Sequence, residues 1–230
     1  MNLARLFWSR NRTDTAGIPA AQPLDSTPIE RARLVVLDLE TSGLDLQRDE
    51  ILSIGAVAIS NGVLHMADQY ECTVFRPNHR PSEATVLHEI APSHIQSGQP
   101  VEEALGGFMR FAGTSVLFAF HAGFDQHMLS RGLRKDLGHR LQHRFLDVAA
   151  MAPMLFPDAA QQCSTLDDWQ QHFGLANNER HNACADAQVT AEILLILLNR
   201  LARQGTNTLA ELNNRLTAWR RLEQARGGRL

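Results

Sequence analysis

Asn61-Gly62 stands between two long runs rich in branched and apolar residues, Ile51 to Ser60 and Val63 to Phe75. Asn-Gly supplies the two positive-φ residues of a tight hairpin turn, so the flanking runs are expected to pair as antiparallel strands. Leu34-Val35-Val36-Leu37 is fully apolar and partly β-branched, which predicts a buried central strand whose end delivers Asp38, Leu39 and Glu40. Ser115 to Phe120 and Arg144 to Val148 are the candidates for a fourth and a fifth strand. Helical spacing covers Val101 to Phe111, Phe124 to Leu137, Thr165 to Phe173 and Ala183 to Leu201. Thr208 with Glu211 forms a capping box ahead of Leu212, Leu216 and Trp219, which predicts a last helix. Three strands followed by alternating strands and helices give an α/β chain with a mixed sheet flanked by helices.

The 230 residues, 44% of them apolar, suffice for one domain with a real core. Asn11 to Glu30 has the Thr, Ala, Pro and Ser content of a linker. The expected organisation is therefore a basic N-terminal segment and flexible linker over 1–30, a main domain over 31–204, and a C-terminal helix within 205–230 that packs on the domain or on a partner. A net charge of −3 argues against holding nucleic acid by an overall basic surface, while leaving a local patch open. Cys72, Cys163 and Cys184 are odd in number and widely spaced, which fits reduced thiols and a cytoplasmic setting. Leu6-Phe7-Trp8 is too short for a signal-peptide core, and no later run reaches membrane-spanning length, so a soluble protein without a membrane partner is expected.

Asp38 and Glu40 are two apart on a strand, and the two-residue period points both carboxylates to one face. Such a pair shares a proton, stays solvated, or binds a cation, and hard oxygen ligands suit magnesium or manganese. Asp125 follows the Ser115 to Phe120 run, with Gly123 allowing the turn into a helix; a capping role and a ligand role both fit it. His181 lies in a polar stretch just before the last long apolar helix, and Asp186 falls about one turn inside that helix, either as a dipole-stabilising residue or as a ligand.

Taken in order, these residues resemble the three motifs of the DEDDh (DnaQ-like) exonucleases, the family of the proofreading epsilon subunit of bacterial DNA polymerase III, ribonuclease T and oligoribonuclease. The first motif reads Val36-Leu37-Asp38-Leu39-Glu40-Thr41-Ser42-Gly43 and the third Arg180-His181-Asn182-Ala183-Cys184-Ala185-Asp186-Ala187, and the likeness runs from about Leu34 to Leu201. Glu83, Leu87-His88, Asp147, Met154 to Pro157 and Leu166-Asp167 are secondary matches. In the second motif Phe120 and His121 stand where the family commonly has His-Asn, and Glu89 stands where it often has Gly, which puts local hydrogen bonding and substrate grip in doubt.

The resemblance implies a ribonuclease-H-like five-stranded sheet and 3′-to-5′ exonuclease activity. It implies two divalent cations, Mg2+ or Mn2+, on Asp38, Glu40, Asp186 and Asp125, with His181 as general base. It further implies that Leu39 and Phe124 pack the terminal base, that the Thr41 backbone recognises the 3′ end, and that Glu83 and His88 approach the terminal nucleotide. The expected partners are the 3′ ends of DNA or RNA, single-stranded DNA favoured. A DNA polymerase or other protein in proofreading or repair and a second copy of the chain are further candidates. A catalytically silent binding module and a small-phosphoester hydrolase of the same fold stay open as alternatives.

Overall fold

The computed structural model describes residues 18–77, 79, 90–176 and 182–227. Strand β1 (Leu34–Thr41) is the centre of a five-stranded sheet of order β3-β2-β1-β4-β5. β2 (Ile51–Ser60) and β3 (Val63–Thr73) form the expected hairpin, and Asn61 and Gly62 both have positive φ, 53° and 72°. β1 pairs antiparallel with β2 and parallel with β4 (Val116–Ala119), which pairs parallel with β5 (Phe145–Asp147). The sheet is mixed, as the order of elements predicts.

Helices cover both faces. Val35, Leu37 and Leu39 of β1 pack with Leu105, Phe108 and Met109 of α2 (Val101–Ala112) and Met128, Leu129 and Leu133 of α3 (Ala122–Asp136). Leu34 and Val36 point to the opposite face, where α4 (Val148–Leu155), α5 (Leu166–Phe173), α6 (Ala183–Arg203) and α7 (Leu209–Gly227) bury Met151, Trp169, Leu194, Leu197 and Leu216. The period of two along β1 thus divides one apolar strand between two cores. A short α1 (Pro92–Gln96) precedes α2.

Several elements differ from the sequence reading, each for a physical reason. β1 carries Asp38, Leu39 and Glu40 as expected and runs one residue further, through Thr41, because β2 continues to pair with it to Ile51 across a bulge between Glu40 and Thr41. The fifth strand stops at Asp147, whose side chain caps α4 by accepting from Ala149 N–H (3.1 Å). α4 itself was hidden by an all-apolar run containing Pro153, which carries no helical period. α3 starts at Ala122, and its entry turn is made by His121 in the left-handed region (φ 61°), not by Gly123.

The linker reading extends to Glu30, yet the chain from Gln22 onward is docked. Gln22 N–H donates to the Thr114 carbonyl (2.8 Å), and Ile29 N–H to that of Asn207 (2.8 Å). Leu209 N–H and Ala210 N–H return bonds to the carbonyls of Thr27 (3.1 Å) and Asp25 (2.7 Å), and Ile29 is buried. Backbone pairing needs no side-chain period, so composition did not reveal it. The expected basic N-terminal segment, Asn2 to Arg10, lies outside the described residues.

The Thr208 capping box forms as expected: the Glu211 carboxylate accepts from Asn207 N–H (2.8 Å) and Thr208 N–H (3.0 Å), and Glu211 N–H donates to Thr208 Oγ1 (3.3 Å). Thr208→Ala is expected to cost about 1 kcal/mol of stability, the usual value of a lost helix cap, measurable by urea denaturation. A midpoint equal to that of the parent protein would show that the cap contributes nothing.

Candidate active site

The site is assembled at one end of β1. Asp38 and Glu40 share the parity of Leu34 and Val36, so their carboxylates face the side of the sheet that α6 covers. Asp38 is half-buried and Glu40 is buried. Across the strand pair Asp38 stands opposite Gly55. A Cβ on Gly55 would lie 2.1 Å from the carbonyl carbon of Ala183 and 2.2 Å from the nitrogen of Cys184, so the missing side chain is what lets the first turn of α6 rest on the sheet. Asn182 caps that turn, its Oδ1 accepting from Cys184 and Ala185 N–H (both 3.0 Å). One turn further in, Asp186 is buried.

The result is a convergence of three carboxylates. One oxygen each from Asp38, Glu40 and Asp186 lie within 4.8 Å of one another. Three anions this close and this shielded repel strongly in a low-dielectric pocket, and a hard divalent cation with oxygen ligands relieves that repulsion. The donor set is therefore suited to such an ion.

Asp125 joins from the other side. β4 pairs with β1 only as far as Val36. Beyond that point Asp125, in the first turn of α3, faces the backbone of Leu39, between the two carboxylate-bearing residues of β1. Asp125 is not part of the three-residue group but stands beside it. Burial pushes its carboxyl up to about 8; backbone hydrogen bonds from Asp125 and Leu39 oppose this, and the charges of Asp147 and Glu40 add to it.

That shift has a sign. A folded-state value above the ordinary 3.8 gives stability that is fully present below 3.8 and lost as pH rises through about 8. Metal-free protein is expected to melt at progressively lower temperature across this window, and Asp125→Asn to remove that slope. Equal slopes in the two chelator-treated proteins would overturn the assignment. Added cation, which competes with protons for the cluster, is expected to bind more tightly as pH rises.

Of the other expected site residues, Leu39 is 6% exposed and packs in the α2/α3 core, because β1 continues past it instead of turning. Phe124 is half-buried against the same core. Thr41 is buried, and its hydroxyl donates to the Gly43 carbonyl (2.7 Å). His181, Glu83, Leu87, His88 and Glu89 lie outside the described residues. Gly55 was not singled out, although a glycine inside an otherwise apolar strand is a recognisable sign of close backbone approach.

The family model RNase_T, described as an exonuclease, matches residues 35–194. The chain belongs to this exonuclease family. All four carboxylates fall inside the matched span. A PolC-type DNA polymerase III from Thermotoga petrophila is 32% identical over 186 residues, a stretch that is 80% of this chain and 13% of that polymerase. A DNA polymerase III subunit epsilon-like protein from Rhodobacter capsulatus is 31% identical over 200 residues, 85% of this chain and 28% of that protein. The chain therefore spans a small part of the length of these relatives. Among solved structures, E. coli exonuclease I in complex with a dT13 oligonucleotide superposes with a TM-score of 0.64 at 12% identity, covering 76% of this chain and 42% of that one. This likeness is one of fold, and it agrees with the ribonuclease-H-like sheet expected from the motifs. Among the described residues no helix is long and apolar enough to cross a membrane.

Proposed function

We propose that this chain is a metal-dependent 3′-to-5′ exonuclease that hydrolyses the terminal phosphodiester bond of nucleic acid, single-stranded DNA favoured, and releases nucleoside 5′-monophosphates. The observation that carries the reading is the convergence of Asp38, Glu40 and Asp186 within 4.8 Å, with Asp125 buried beside them in the first turn of α3. A pure binding module has no use for three converging carboxylates that repel phosphate, with a fourth beside them. The four carboxylates would hold two divalent cations, Mg2+ or Mn2+, which supply charge neutralisation on the phosphoryl and leaving oxygens and a more acidic water.

The chain's own groups do the rest. Asp38 and Glu40 are held by strand pairing and Asp186 by a capped helix turn, so the carboxylate constellation is preorganised. His181 is proposed to take the proton from the attacking water, a role suited to an imidazole. Leu39 and Phe124 are proposed to pack the terminal base, with Phe124 offering the larger open surface, and the Thr41 backbone to receive the 3′ end. Glu83 and His88 are assigned to the terminal nucleotide. Stacking and end recognition are sequence-tolerant, so little base specificity is expected. The polymerase names of the relatives support a DNA polymerase as the partner; a role in proofreading or repair, in the cytoplasm, completes the proposal.

The test is release of mononucleotides from end-labelled single-stranded DNA and RNA of equal sequence, with magnesium, manganese or chelator. Metal-dependent laddering from the 3′ end, faster on DNA, is the expected result. No release from either polymer by folded protein would overturn the reading in favour of a binding module, and turnover independent of polymer length would favour a small-phosphoester hydrolase.

A further inference from the structure

α7 lies beyond the family-matched span, which ends at residue 194. Its first half is anchored in the core by Leu209, Leu212 and Leu216. Its arginines are used differently. Arg215 bonds Thr206 and Gln204 in the preceding linker, and Arg226 pairs with Glu223 inside the helix (2.8 Å). Arg220 instead reaches across to β5, its Nη2 lying 3.1 Å from Asp147 Oδ2.

Asp147 is a junction. Its Oδ1 accepts from His121 N–H (3.1 Å), Ala122 N–H (3.4 Å) and Ala149 N–H (3.1 Å), so one carboxylate ties the entry of α3 to the entry of α4. His121 holds a left-handed backbone (φ 61°), which is uncommon for a non-glycine residue. Asp125 follows in the first turn of the helix that this backbone opens. The guanidinium takes the second oxygen, Oδ2, leaving Oδ1 to the backbone, and also offsets a negative charge whose field reaches Asp125.

We propose that α7 is a working part of the active site: Arg220 holds Asp147, and Asp147 holds the His121–Ala122 turn from which Asp125 is presented. Arg220 and Asp147 are positioning residues. The functional consequence rests on the exonuclease reading, but the tether itself does not.

The experiment compares Arg220→Ala, Arg220→Lys and Arg226→Ala with the parent protein in the full chain, by hydrogen exchange and by nucleotide release. Arg220→Ala is expected to speed amide exchange in the peptide spanning His121 and Ala122 roughly tenfold while leaving β1 protected. It is also expected to lower kcat by about tenfold with KM within about twofold, since no ground-state contact to substrate is removed. Arg220→Lys restores part of both effects, and Arg226→Ala behaves as the parent. Unchanged exchange at the turn, or a change confined to KM, overturns the proposal; the latter would make Arg220 a direct substrate contact. If the parent releases no nucleotide, the exonuclease reading falls, and the exchange result still decides the tether.

Discussion

Asp186→Ala is expected to reduce nucleotide release by at least about a thousandfold while the protein stays folded, because one of the three carboxylates proposed to gather the cation is gone. The same change has the opposite effect on the empty protein. With Asp38 and Glu40 oxygens within 4.8 Å, Asp186 contributes repulsion when no cation is present. Chelator-treated Asp186→Ala should therefore melt no lower than the parent, and its melting temperature should no longer rise when manganese is added. Retained activity would remove Asp186 from the site, and a retained manganese response would remove it from the ligand set.

Gly55→Ala is the second large effect, and it separates the site from its support. A methyl group there would meet three backbone atoms of Ala183 and Cys184 at 2.1–2.3 Å, and none of them belongs to a flexible side chain that can swing away. The first turn of α6 has to lift from the sheet, carrying Asp186 away from Asp38 and Glu40. Overpacking of this kind costs about 3 kcal/mol. A displacement near 1 Å in a reacting constellation costs on the order of a hundredfold in rate. Gly55→Ala should thus lose both stability in urea denaturation and nucleotide release, where Asp186→Ala loses only the latter. A variant with the parent's stability and rate would mean that the helix does not rest on Gly55.

The contrast between these residues also explains what could be read before the fold was known. The hairpin at Asn61-Gly62 and the Thr208–Glu211 box are local devices in which the interacting atoms lie within a few residues, and both appear as expected. The pairing of Asp38 with Glu40 follows from the strand period, and the family motifs supplied Asp125 and Asp186. The same period sends Leu39 into the core. What stayed hidden depends on segments distant in the chain. Asp147 matters because it faces the backbone at His121, and Arg220 because α7 folds back to reach it.

The departure at His121 gains a meaning from the same geometry. The family's asparagine at this position is a residue that tolerates the left-handed region, and histidine is among the few other side chains that do so. At this position the substitution therefore preserves the backbone conformation that the turn requires (φ 61°).

The strap formed by Ile29 with Asn207 and by Thr27 with Leu209 joins segments from near the two ends of the described chain. Closing so long a loop returns nothing until the intervening sheet is in place, which makes the strap a late event in folding and an early one in opening. The strap is bonded directly to the base of α7, so its opening would loosen the helix that carries Arg220 before the strands that carry Asp38 and Glu40 are disturbed. Partial unfolding should therefore abolish the proposed nucleotide release at denaturant concentrations where the central sheet is still intact, giving an inactivation curve that precedes the loss of strand structure.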